Sequence, residues 1–500
     1  MAQSNGGTNG AALEAYESAC VQAARTGSTR TGSSASLTFE QTIAEVGIGR
    51  TQWVLLLICG LTFCSDAAEV TFLSYVTEVL KCEWGLTSKE ESSISSAVFV
   101  GMIIGSPFWG VVADKLGRRP AFLLSSLIIT TFGFITAMSQ NFIQLLAFRA
   151  IVGFGVSGLP VGFDVLAEAL PAEGRGKFLL YIEYFWTFGS IYVNICAWAI
   201  LETSGWQVFT AMAAIPTLIA SIAALVALPE SPRWLLNEGR EPEALKILNS
   251  WRKANRSKCG KIEAVASGGK SEEQASIVDL LTTRRLRRSF FCMAVVWFAF
   301  GVAYYGVVML LPRIFASSSE VGACTVDFDF KDLAIASFAE IVGVVIAICI
   351  IDNPGRTWCQ GVFYGLGGVC AFLLGFRSLG RTSLTVIASL GRFAEMGASC
   401  ATWVHTPELF PTELRALAHG MLNLMSKIGA TLAPFLISDL FTQWQCASIM
   451  GGVSVSAAMF AMCLPETSGK DIDNLSEDGS SAAEDSVGES SDSGSDSFRG

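Results

Sequence analysis

Long apolar runs separated by short polar connections recur along the chain from about residue 52 to residue 464. Each run has roughly 20 residues, the length of an α-helix that crosses the hydrocarbon core of a bilayer. A spanning segment must be helical, because lipid offers backbone amides no hydrogen-bonding partner. The pattern predicts twelve spanning helices, at 52–76, 93–113, 121–139, 142–167, 177–200, 206–228, 289–312, 332–351, 358–376, 382–404, 416–440 and 445–464.

The polar stretches divide these runs into two sets of six. A charged connection at 236–288 lies between the sets, and residues 243–248 within it predict a short amphipathic helix. The predicted organisation is a polar tail at 1–50, a six-helix bundle at 51–235, a loop at 236–288, a second six-helix bundle at 289–470, and an acidic, serine-rich tail at 471–500.

Basic residues in the connections predict the orientation in the membrane. Lys115, Arg118 and Arg119 follow the second predicted helix, and four arginines at 284–288 precede the seventh. Lys and Arg favour the cytosolic side, so both tails and the loop at 236–288 are expected to be cytosolic. Arg377 and Arg381 lie on the opposite side, so the bias is strong without being complete.

Composition agrees with a membrane protein and excludes several other classes. Of the 500 residues, 51% are hydrophobic and 16% are charged, against about 25% charged in an average soluble domain. The net charge of −10 lies mostly in the last thirty residues, so there is no basic stripe to bind nucleic acid. The 14 Cys include no CxxC motif, and neither a metal site nor a cofactor is expected. Cys82 and Cys324 both fall on the outer side and are candidates for a disulfide bond.

An internal repeat relates the two sets of six helices. Asp114 with the Gly-Arg at 117–118 recurs as Asp352 with the Gly-Arg at 355–356. The Pro-Glu at 229–230 recurs at 465–466, and Arg149 recurs as Arg392. Glu168 and Arg175, with a Pro between them, recur as Glu408 and Arg415. Four matches in order and near one offset indicate two homologous halves.

These motifs resemble those of a known superfamily. Residues 110–119 are similar to the signature loop of the major facilitator superfamily, and 229–235 and 465–469 resemble the ends of the halves in its sugar-porter-like members. Residues 65–69, 82–84, 304–306, 350–352 and 406–412 resemble the branch of transporters related to synaptic vesicle protein two, which is similar to nicotinate and organic cation carriers. The resemblance covers roughly residues 45–470. It implies transport by alternating access.

The repeated charged motifs predict a gate at the cytosolic ends of the helices. Acids and bases paired there would hold the two halves together while the cavity faces outward. The alternative is that these charges only anchor helix ends at the lipid headgroups. Thr357 replaces the second arginine of the motif, so the second-half loop is expected to hold more weakly. The expected gate residues are Asp114, Arg118, Arg119, Glu168, Arg175, Glu230, Arg233, Asp352, Arg356, Glu408, Arg415 and Glu466.

Ionisable residues within the apolar runs are costly and therefore indicate function. Asp66 and Glu69 share one face of the first helix and match the depth of Arg149 on the fourth. Relatives in the superfamily that this chain resembles often couple transport to protons with such a set. We expect a triad of Asp66, Glu69 and Arg149 that carries a proton or binds a cationic substrate, or else a permanent structural salt bridge.

The second half has its own buried charges: Glu340, Arg392, Glu395 and Lys427. Lys427 is expected to balance Glu340 or Glu395, or to face an anionic substrate. Glu183 lies nearer the cytosolic end of the fifth helix and is expected to join the gate. Aromatic residues that we expect to line a cavity, or to pack against lipid and neighbouring helices, are Trp186, Trp297, Tyr304 and Tyr305.

The sequence thus predicts a monomeric secondary transporter for a small polar organic solute: an organic ion, a nicotinate-like compound or a sugar. Symport with protons is expected, in the plasma membrane or an intracellular vesicle. One alternative is a vesicle membrane protein that binds a nucleotide or a protein partner and transports nothing. The other is an uncoupled facilitator. An enzymatic activity is not expected.

Overall fold

The structure, a computed structural model, describes residues 37–171, 173–258, 260–266, 278–318, 326–376 and 378–468. Each of the twelve predicted apolar segments coincides with helical backbone, which confirms the prediction of an all-α membrane protein. The acidic tail at 471–500 and residues 1–36 of the polar tail lie outside the described residues.

The twelve spans are numbered here in chain order. Their helices are Arg50–Glu83, Ser88–Leu116, Arg118–Thr136, Phe142–Val156 with Pro160–Glu168, Arg175–Leu180 with Ile182–Cys196, Glu202–Ala213 with Ile215–Ala227, Arg284–Phe315, Phe330–Ile350, Arg356–Leu373, Arg381–Glu408, Thr412–Leu436 and Gln443–Met462.

Eight helical stretches of the described chain are long and apolar enough to cross a membrane. One of them, Phe178–Ala227, has 50 residues, enough for two crossings at about 1.5 Å per residue. A π-helix at Ala197–Leu201 interrupts it, and the backbone then turns at Gly205. The φ of Gly205 is 78°, a value that glycine adopts without a steric penalty. This turn separates the fifth span from the sixth.

Proline divides the fourth span into two helices. The first, Phe142–Val156, ends before a short turn, and the second begins at Pro160. Proline has no backbone N–H and its ring clashes with the preceding helical turn, so it is tolerated at the first position of a helix but interrupts one. The break places Leu159 and Pro160 against the central cavity described below.

The second and fourth spans approach each other through glycine. A Cβ atom on Gly153 would lie 1.9 Å from the carbonyl oxygen of Val98, and one on Gly101 would lie 2.1 Å from the carbonyl oxygen of Ala150. The glycines at 153, 155 and 158 match a dinucleotide-binding pattern in sequence, but here they lie on a membrane helix. Their role is close helix packing, which small residues permit.

The internal repeat is visible in the backbone. Gly117 precedes the third span with φ 105° and ψ 161°, and Gly355 precedes the ninth with φ 99° and ψ 163°. Non-glycine residues rarely adopt a φ of this sign. The same conformation at matching positions shows that the two motif loops are built alike.

The chain divides into two compact units. The first comprises residues 1–55, 164–175 and 229–270. It contains the helices Phe39–Val46, Pro232–Asn237 and Glu241–Ala254, and a pair of parallel strands, Leu37–Thr38 and Val265–Ala266. The helix Glu241–Ala254 buries Ala244, Leu248 and Trp251 along one face, so the amphipathic helix predicted at 243–248 is present.

The second unit comprises residues 56–163, 176–228 and 271–500. It contains most of the spanning helices, the short helix Asp279–Thr282 and an antiparallel pair of strands, Ala316–Ser318 and Val326–Phe328. The sequence did not predict either strand pair, because two or three residues are too few for a periodic pattern. The bounds of the five predicted segments stay a prediction.

Candidate functional site

A cavity of about 50 Å³ lies inside the second unit, between the two sequence halves. Spans 1, 4 and 5 of the first half and spans 7, 10 and 11 of the second half all contribute to its wall. Its polar and charged lining residues are Thr62, Asp66, Glu183, Ser399, Asn423, Ser426 and Lys427. A mostly apolar cavity with a few polar groups from several elements is the usual form of a small-molecule site.

Asp66 faces Lys427 in this cavity. The charge of Lys427 acts on the Asp66 carboxylate, and Lys427 also donates a hydrogen bond of 3.3 Å to the hydroxyl of Tyr305. The ammonium lies 5.5 Å from the centre of the Tyr305 ring, a cation–π contact. Among the described residues, the buried Oδ1 atom of Asp66 has no hydrogen-bond partner.

The structure divides the expected triad of Asp66, Glu69 and Arg149. Glu69 and Arg149 form an ion pair of 2.7 Å with side chains 2% and 1% exposed. Arg149 also donates to the hydroxyl of Thr136 at 2.7 Å. Asp66 lines the cavity instead and faces Lys427, although it lies only one helical turn from Glu69. One buried ion pair, Glu69 with Arg149, thus forms apart from Asp66, whose charged neighbour is Lys427.

In the second half, Glu340 is the centre of a polar chain. Its Oε1 accepts from Nη2 of Arg392 at 2.9 Å and from the hydroxyl of Tyr304 at 3.0 Å. The Tyr304 hydroxyl in turn accepts from Nε1 of Trp186 at 2.5 Å. Trp186 belongs to the first half, so this chain joins the halves beside the cavity.

The expectation that Lys427 balances Glu340 or Glu395 is wrong. Glu340 is neutralised by Arg392, and Glu395 accepts a hydrogen bond of 2.7 Å from the hydroxyl of Ser454. Lys427 instead contacts Tyr305 and faces Asp66. Residue depth along a helix, which supported the expectation, does not define the face on which a side chain lies.

Aromatic rings form much of the cavity wall. The four predicted residues Trp186, Trp297, Tyr304 and Tyr305 all line the cavity, and the structure adds Phe63, Phe300 and Trp403. Trp297 is held by a hydrogen bond of 2.9 Å from its Nε1 to the hydroxyl of Thr406, and its ring centre lies 5.2 Å from that of Trp403. These contacts fix the Trp297 ring in the cavity wall.

Glu183 lines this cavity, and the expectation that it joins a cytosolic gate is wrong. Its side chain is buried, with 5% of the residue exposed. Glu183 lies in the first turn of the helix Ile182–Cys196, with Trp186 one turn later. Its position along the chain gives its depth but not the face of the helix on which its side chain lies, so the sequence alone misplaced it.

The gate residues of the first unit form one cluster. Arg175 and Arg233 both pair with Glu40, at 2.9 Å and 3.0 Å. The hydroxyl of Ser231 donates to Glu168, and Arg175 also donates to the carbonyl of Leu170. Glu40 was not predicted as a partner, because it lies before the first span and outside both repeated motifs.

Several gate residues of the second unit have partners within their own half. Arg118 bonds Asp114 at 2.9 Å, and Arg119 donates to the carbonyl of Leu225 at 2.9 Å. Arg356 bonds Asp352 at 2.7 Å and Glu408 at 3.1 Å. The end of the bundle that contains these pairs is called the motif end below. Arg415 lies in the first turn of the eleventh span and is close to Glu408 in the sequence.

One contact of the first unit recurs in the second. The hydroxyl of Ser231 donates to Glu168, and at the matching positions the hydroxyl of Thr467 donates to Glu408 at 2.6 Å. Glu230 likewise accepts from the backbone amide of the residue that follows it, as Glu466 does from Thr467. The repeat found in the sequence is therefore also a repeat of hydrogen bonds.

Glu466 is held by several donors. It accepts from the backbone amides of Arg356, Thr357 and Ser468 and from the Thr357 hydroxyl at 2.6 Å. Partial burial alone would raise the pKa of Glu466, but these hydrogen bonds outweigh it and lower the pKa to about 2. Thr357, which replaces the second arginine of the motif, thus has a bonding role of its own.

A second ionic cluster joins the two halves at the far end of the bundle, opposite the motif end. Arg313 of span 7 bonds Glu78 of span 1 at 2.6 Å and pairs with Asp439, which follows span 11. Lys81 pairs with Asp439 and bonds Glu91 at 2.8 Å. Burial alone would raise the pKa of Asp439. The hydrogen bond from Lys81 and the charge of Arg313 outweigh burial, so the pKa lies below its ordinary value.

Hydrogen bonds reinforce this far-end cluster. The hydroxyls of Ser92 and Ser96 in span 2 donate to the carbonyls of Pro434 and Thr431 in span 11, at 3.0 Å and 2.8 Å. The sequence did not identify these residues, because a charge near a helix end is equally typical of a headgroup anchor. The two halves are therefore in contact at the far end.

Cys82, at the far end of span 1, is disulfide-bonded. Its predicted partner, Cys324, lies outside the described residues.

Within the part of the chain that the structure describes, no group of His, Cys, Asp and Glu is arranged to hold a metal ion.

A family model described as "Sugar (and other) transporter" matches residues 16–478. The chain belongs to this transporter family. The predicted membership of the major facilitator superfamily is thereby confirmed. The family consists of transporters rather than enzymes, so the chain is a multi-pass membrane transporter for small organic solutes.

The similar curated proteins fall in the predicted branch. The synaptic vesicle 2-related protein of Xenopus laevis is 30% identical over 457 residues, which cover 87% of this chain and 82% of that protein. Organic cation/carnitine transporter 7 of Arabidopsis thaliana is 29% identical over 482 residues, covering 87% of this chain and 95% of that protein.

Solved structures show the same fold. The inward open conformation of the xylose transporter XylE from E. coli superimposes with a TM-score of 0.66 at 20% identity, covering 85% of this chain and 99% of that chain. The proton:xylose symporter XylE bound to 6-bromo-6-deoxy-D-glucose gives a TM-score of 0.64, also at 20% identity, covering 86% of this chain and 99% of that chain. At this identity the likeness concerns the fold alone.

Proposed function

We propose that this transporter moves a small polar organic solute through the central cavity by alternating access, with the movement coupled to protons. The observation that carries the proposal is the composition of the cavity wall. Both halves contribute to it, and it holds the acidic groups Asp66 and Glu183 together with Lys427. Binding near the midplane between the repeats is what alternating access requires.

The far-end cluster supports one side of this cycle. Arg313 links Glu78 to Asp439 and so joins span 1 to the segment after span 11. Opening the far end would break these pairs, each of which is weak alone but adds to the others. The state in which they are formed is the state closed at the far end.

We place the complementary gate at the motif end. Asp114, Arg118, Asp352, Arg356 and Glu408 form pairs within their own halves in this state. During closure of the motif end, these groups would exchange partners across the halves. In the proposed orientation the motif end is cytosolic, since Lys115, Arg118 and Arg119 lie there. Both termini would then be cytosolic, and the transporter would act as a monomer in the plasma membrane or a vesicle.

Proton coupling is proposed to involve Asp66 and Glu69. Among the described residues, the basic neighbour of Asp66 is Lys427 and that of Glu69 is Arg149. Protonation of an acid releases its basic partner, and a buried unpaired charge favours rearrangement. Loss of the Asp66 charge frees Lys427, which faces the solute. Loss of the Glu69 charge frees Arg149, which connects spans 1, 3 and 4.

The test is uptake into proteoliposomes with and without a pH gradient. The solute panel consists of nicotinate, choline, carnitine, xylose and inorganic phosphate. A solute that accumulates only with the gradient supports the proposal, and Asp66→Asn and Glu69→Gln should abolish that accumulation while leaving counterflow of the solute measurable. Glu202→Gln, which removes an exposed carboxylate, is the matched control.

The other outcomes identify the alternatives. Gradient-independent equilibration of a solute would indicate an uncoupled facilitator. No movement of any solute, together with retention of a bound nucleotide or protein, would favour a membrane protein that does not transport.

A further inference from the structure

Glu183 is a buried carboxylate in the wall of the central cavity. Within the described residues, its carboxylate makes neither an ion pair nor a hydrogen bond. The charged group that acts on it is Glu340 of span 8, which is itself negative and already paired with Arg392. Tyr305 of span 7 and Cys400 of span 10 are the other titratable groups that sense its charge.

The other cavity charges do not compensate Glu183. Lys427 is in contact with Tyr305 and faces Asp66, so these two opposite charges balance each other. Among the described lining residues, the acids therefore outnumber the bases by one. A carboxylate removed from water is stable only when a positive charge accompanies it, either as a proton on the group or as a cation beside it.

The wall next to Glu183 is aromatic. Trp186 lies one helical turn along the same face, and its Nε1 bonds the Tyr304 hydroxyl, which fixes the ring. Its ring centre is 6.0 Å from that of Tyr304 and 6.4 Å from that of Tyr305. Aromatic faces attract organic cations, most strongly where water is excluded. An anionic solute, by contrast, would need Lys427, which is already engaged.

We infer that Glu183 is the counter-ion of a monovalent organic cation, and that this cation replaces a proton on the Glu183 carboxyl when it binds. The cation contacts the carboxylate with its charged group and Trp186 with its apolar surface. The proton leaves for bulk water, so the charge of the occupied site equals that of the empty one. This inference rests on the proposed transport function and identifies its substrate class.

The experiment compares ligands of one shape and different charge. Choline and its uncharged isostere 3,3-dimethylbutan-1-ol are titrated into the full-length protein in detergent, with nicotinate as the anionic probe. Calorimetry in buffers of different ionisation enthalpy counts the protons released. We expect choline to bind at least about tenfold more tightly than the isostere, to release one proton, and to gain affinity as the pH rises.

Variants assign the effect to Glu183. Glu183→Gln should lose at least about tenfold in choline affinity together with the proton release, whereas Glu183→Asp should keep the release. Glu202→Gln should bind choline with proton release, since Glu202 is exposed and does not line the cavity. If Glu183→Gln fails to fold, judged by size-exclusion chromatography, the wild-type comparison of choline with its isostere and the proton count still decide the question.

Three results would overturn the inference: equal binding of choline and the isostere, binding of nicotinate with no binding of choline, or proton release that persists in Glu183→Gln. Failure of the underlying transport proposal is distinguished by the proteoliposome assay. Gradient-driven uptake of nicotinate or xylose without choline binding would refute the role of Glu183 and leave the transport proposal intact.

Discussion

Glu69 and Arg149 form a buried ion pair that connects the first span to the fourth, with Oε2 and Nη1 2.7 Å apart. Arg149 extends the connection to the third span through the hydroxyl of Thr136, and its guanidinium lies 5.4 Å from the centre of the Phe72 ring. A pair this deeply buried is stable only while both charges are present, because either one alone would be uncompensated.

Glu69→Gln is therefore expected to destabilise the protein. The substitution keeps the size of the side chain but leaves Arg149 buried without a negative partner, at a cost of about 3–5 kcal/mol. Denaturant unfolding in detergent micelles measures the change. The double variant Glu69→Gln, Arg149→Met should regain part of the loss. A Glu69→Gln protein as stable as the wild type would show that the pair is not formed in the membrane protein.

Packing of the second span against the fourth should depend on Gly153. In Gly153→Ala the new Cβ would lie 1.9 Å from the Val98 carbonyl oxygen, so the backbones must separate. We expect a loss of about 1–3 kcal/mol in unfolding free energy. Gly365→Ala is the matched control, since a Cβ there meets no atom within 4 Å. It should be neutral or slightly stabilising, because alanine favours the helix. Similar losses in both variants would contradict the packing argument.

Arg313→Gln should favour the state open at the far end. The substitution removes the ion pair of Arg313 with Glu78, which joins the two halves. It also removes the pair with Asp439, the acid that Lys81 of the first half contacts. A cysteine introduced at Ser95, which is buried in span 2, reports opening through its reaction with a membrane-impermeant maleimide. We expect labelling to increase several-fold, in line with the loss of about 1 kcal/mol from weak pairs.

The control for this experiment is Arg381→Gln. Arg381 bonds Asp332 at 3.0 Å and pairs with Asp329, so its partners lie in the second half, as it does. Equal increases in labelling for Arg313→Gln and Arg381→Gln would show that loss of any far-end charge suffices, and that the contact between the halves has no special role.

Glu466→Gln should destabilise the protein in a pH-dependent way. The folded-state pKa of Glu466 is lowered to about 2 from an ordinary value of 4.5, so its ionised form stabilises the fold. That contribution is complete above about pH 4.5 and is lost as the pH falls through about 2. Melting temperatures of the wild type and the variant should differ at pH 7 by the equivalent of about 1–2 kcal/mol, after allowance for partial exposure.

The difference should shrink between pH 4.5 and pH 2.5, since protonation of the wild-type carboxyl makes it resemble the amide. Glu243→Gln, which removes an exposed carboxylate bonded only by Arg240 among the described residues, is the control and should change stability little at any pH. A difference that stays constant down to pH 2.5 would show that the hydrogen bonds, rather than the charge, stabilise this segment.

Much of the fold follows from local pattern. The apolar runs define the twelve spans because lipid requires continuous helix, and the repeated loops define the two halves because Gly117 and Gly355 must adopt the same left-handed φ. The motif contacts of Ser231 with Glu168 and of Thr467 with Glu408 lie at positions that the repeat had already matched.

Partners across the bundle could not be predicted in this way. Hydropathy and depth place Lys427, Glu340 and Glu395 at similar levels, but they do not give the rotation of each helix about its axis. That rotation pairs Glu340 with Arg392, directs Lys427 towards Asp66, and brings Glu183 into the cavity. It is set by the packing of all neighbouring helices together, including close approaches such as that of Gly153 to Val98.

The sequence by itself therefore determined the membrane class, the helical spans, the repeat and the residue types that a transport site needs, because each depends on short-range periodicity or on the cost of burial in lipid. Only the tertiary structure decided which acid meets which base, which aromatic rings surround the cavity, and at which end the two halves touch. Those relations join residues far apart in the chain, for example Arg313 and Glu78, and arise only when the helices pack.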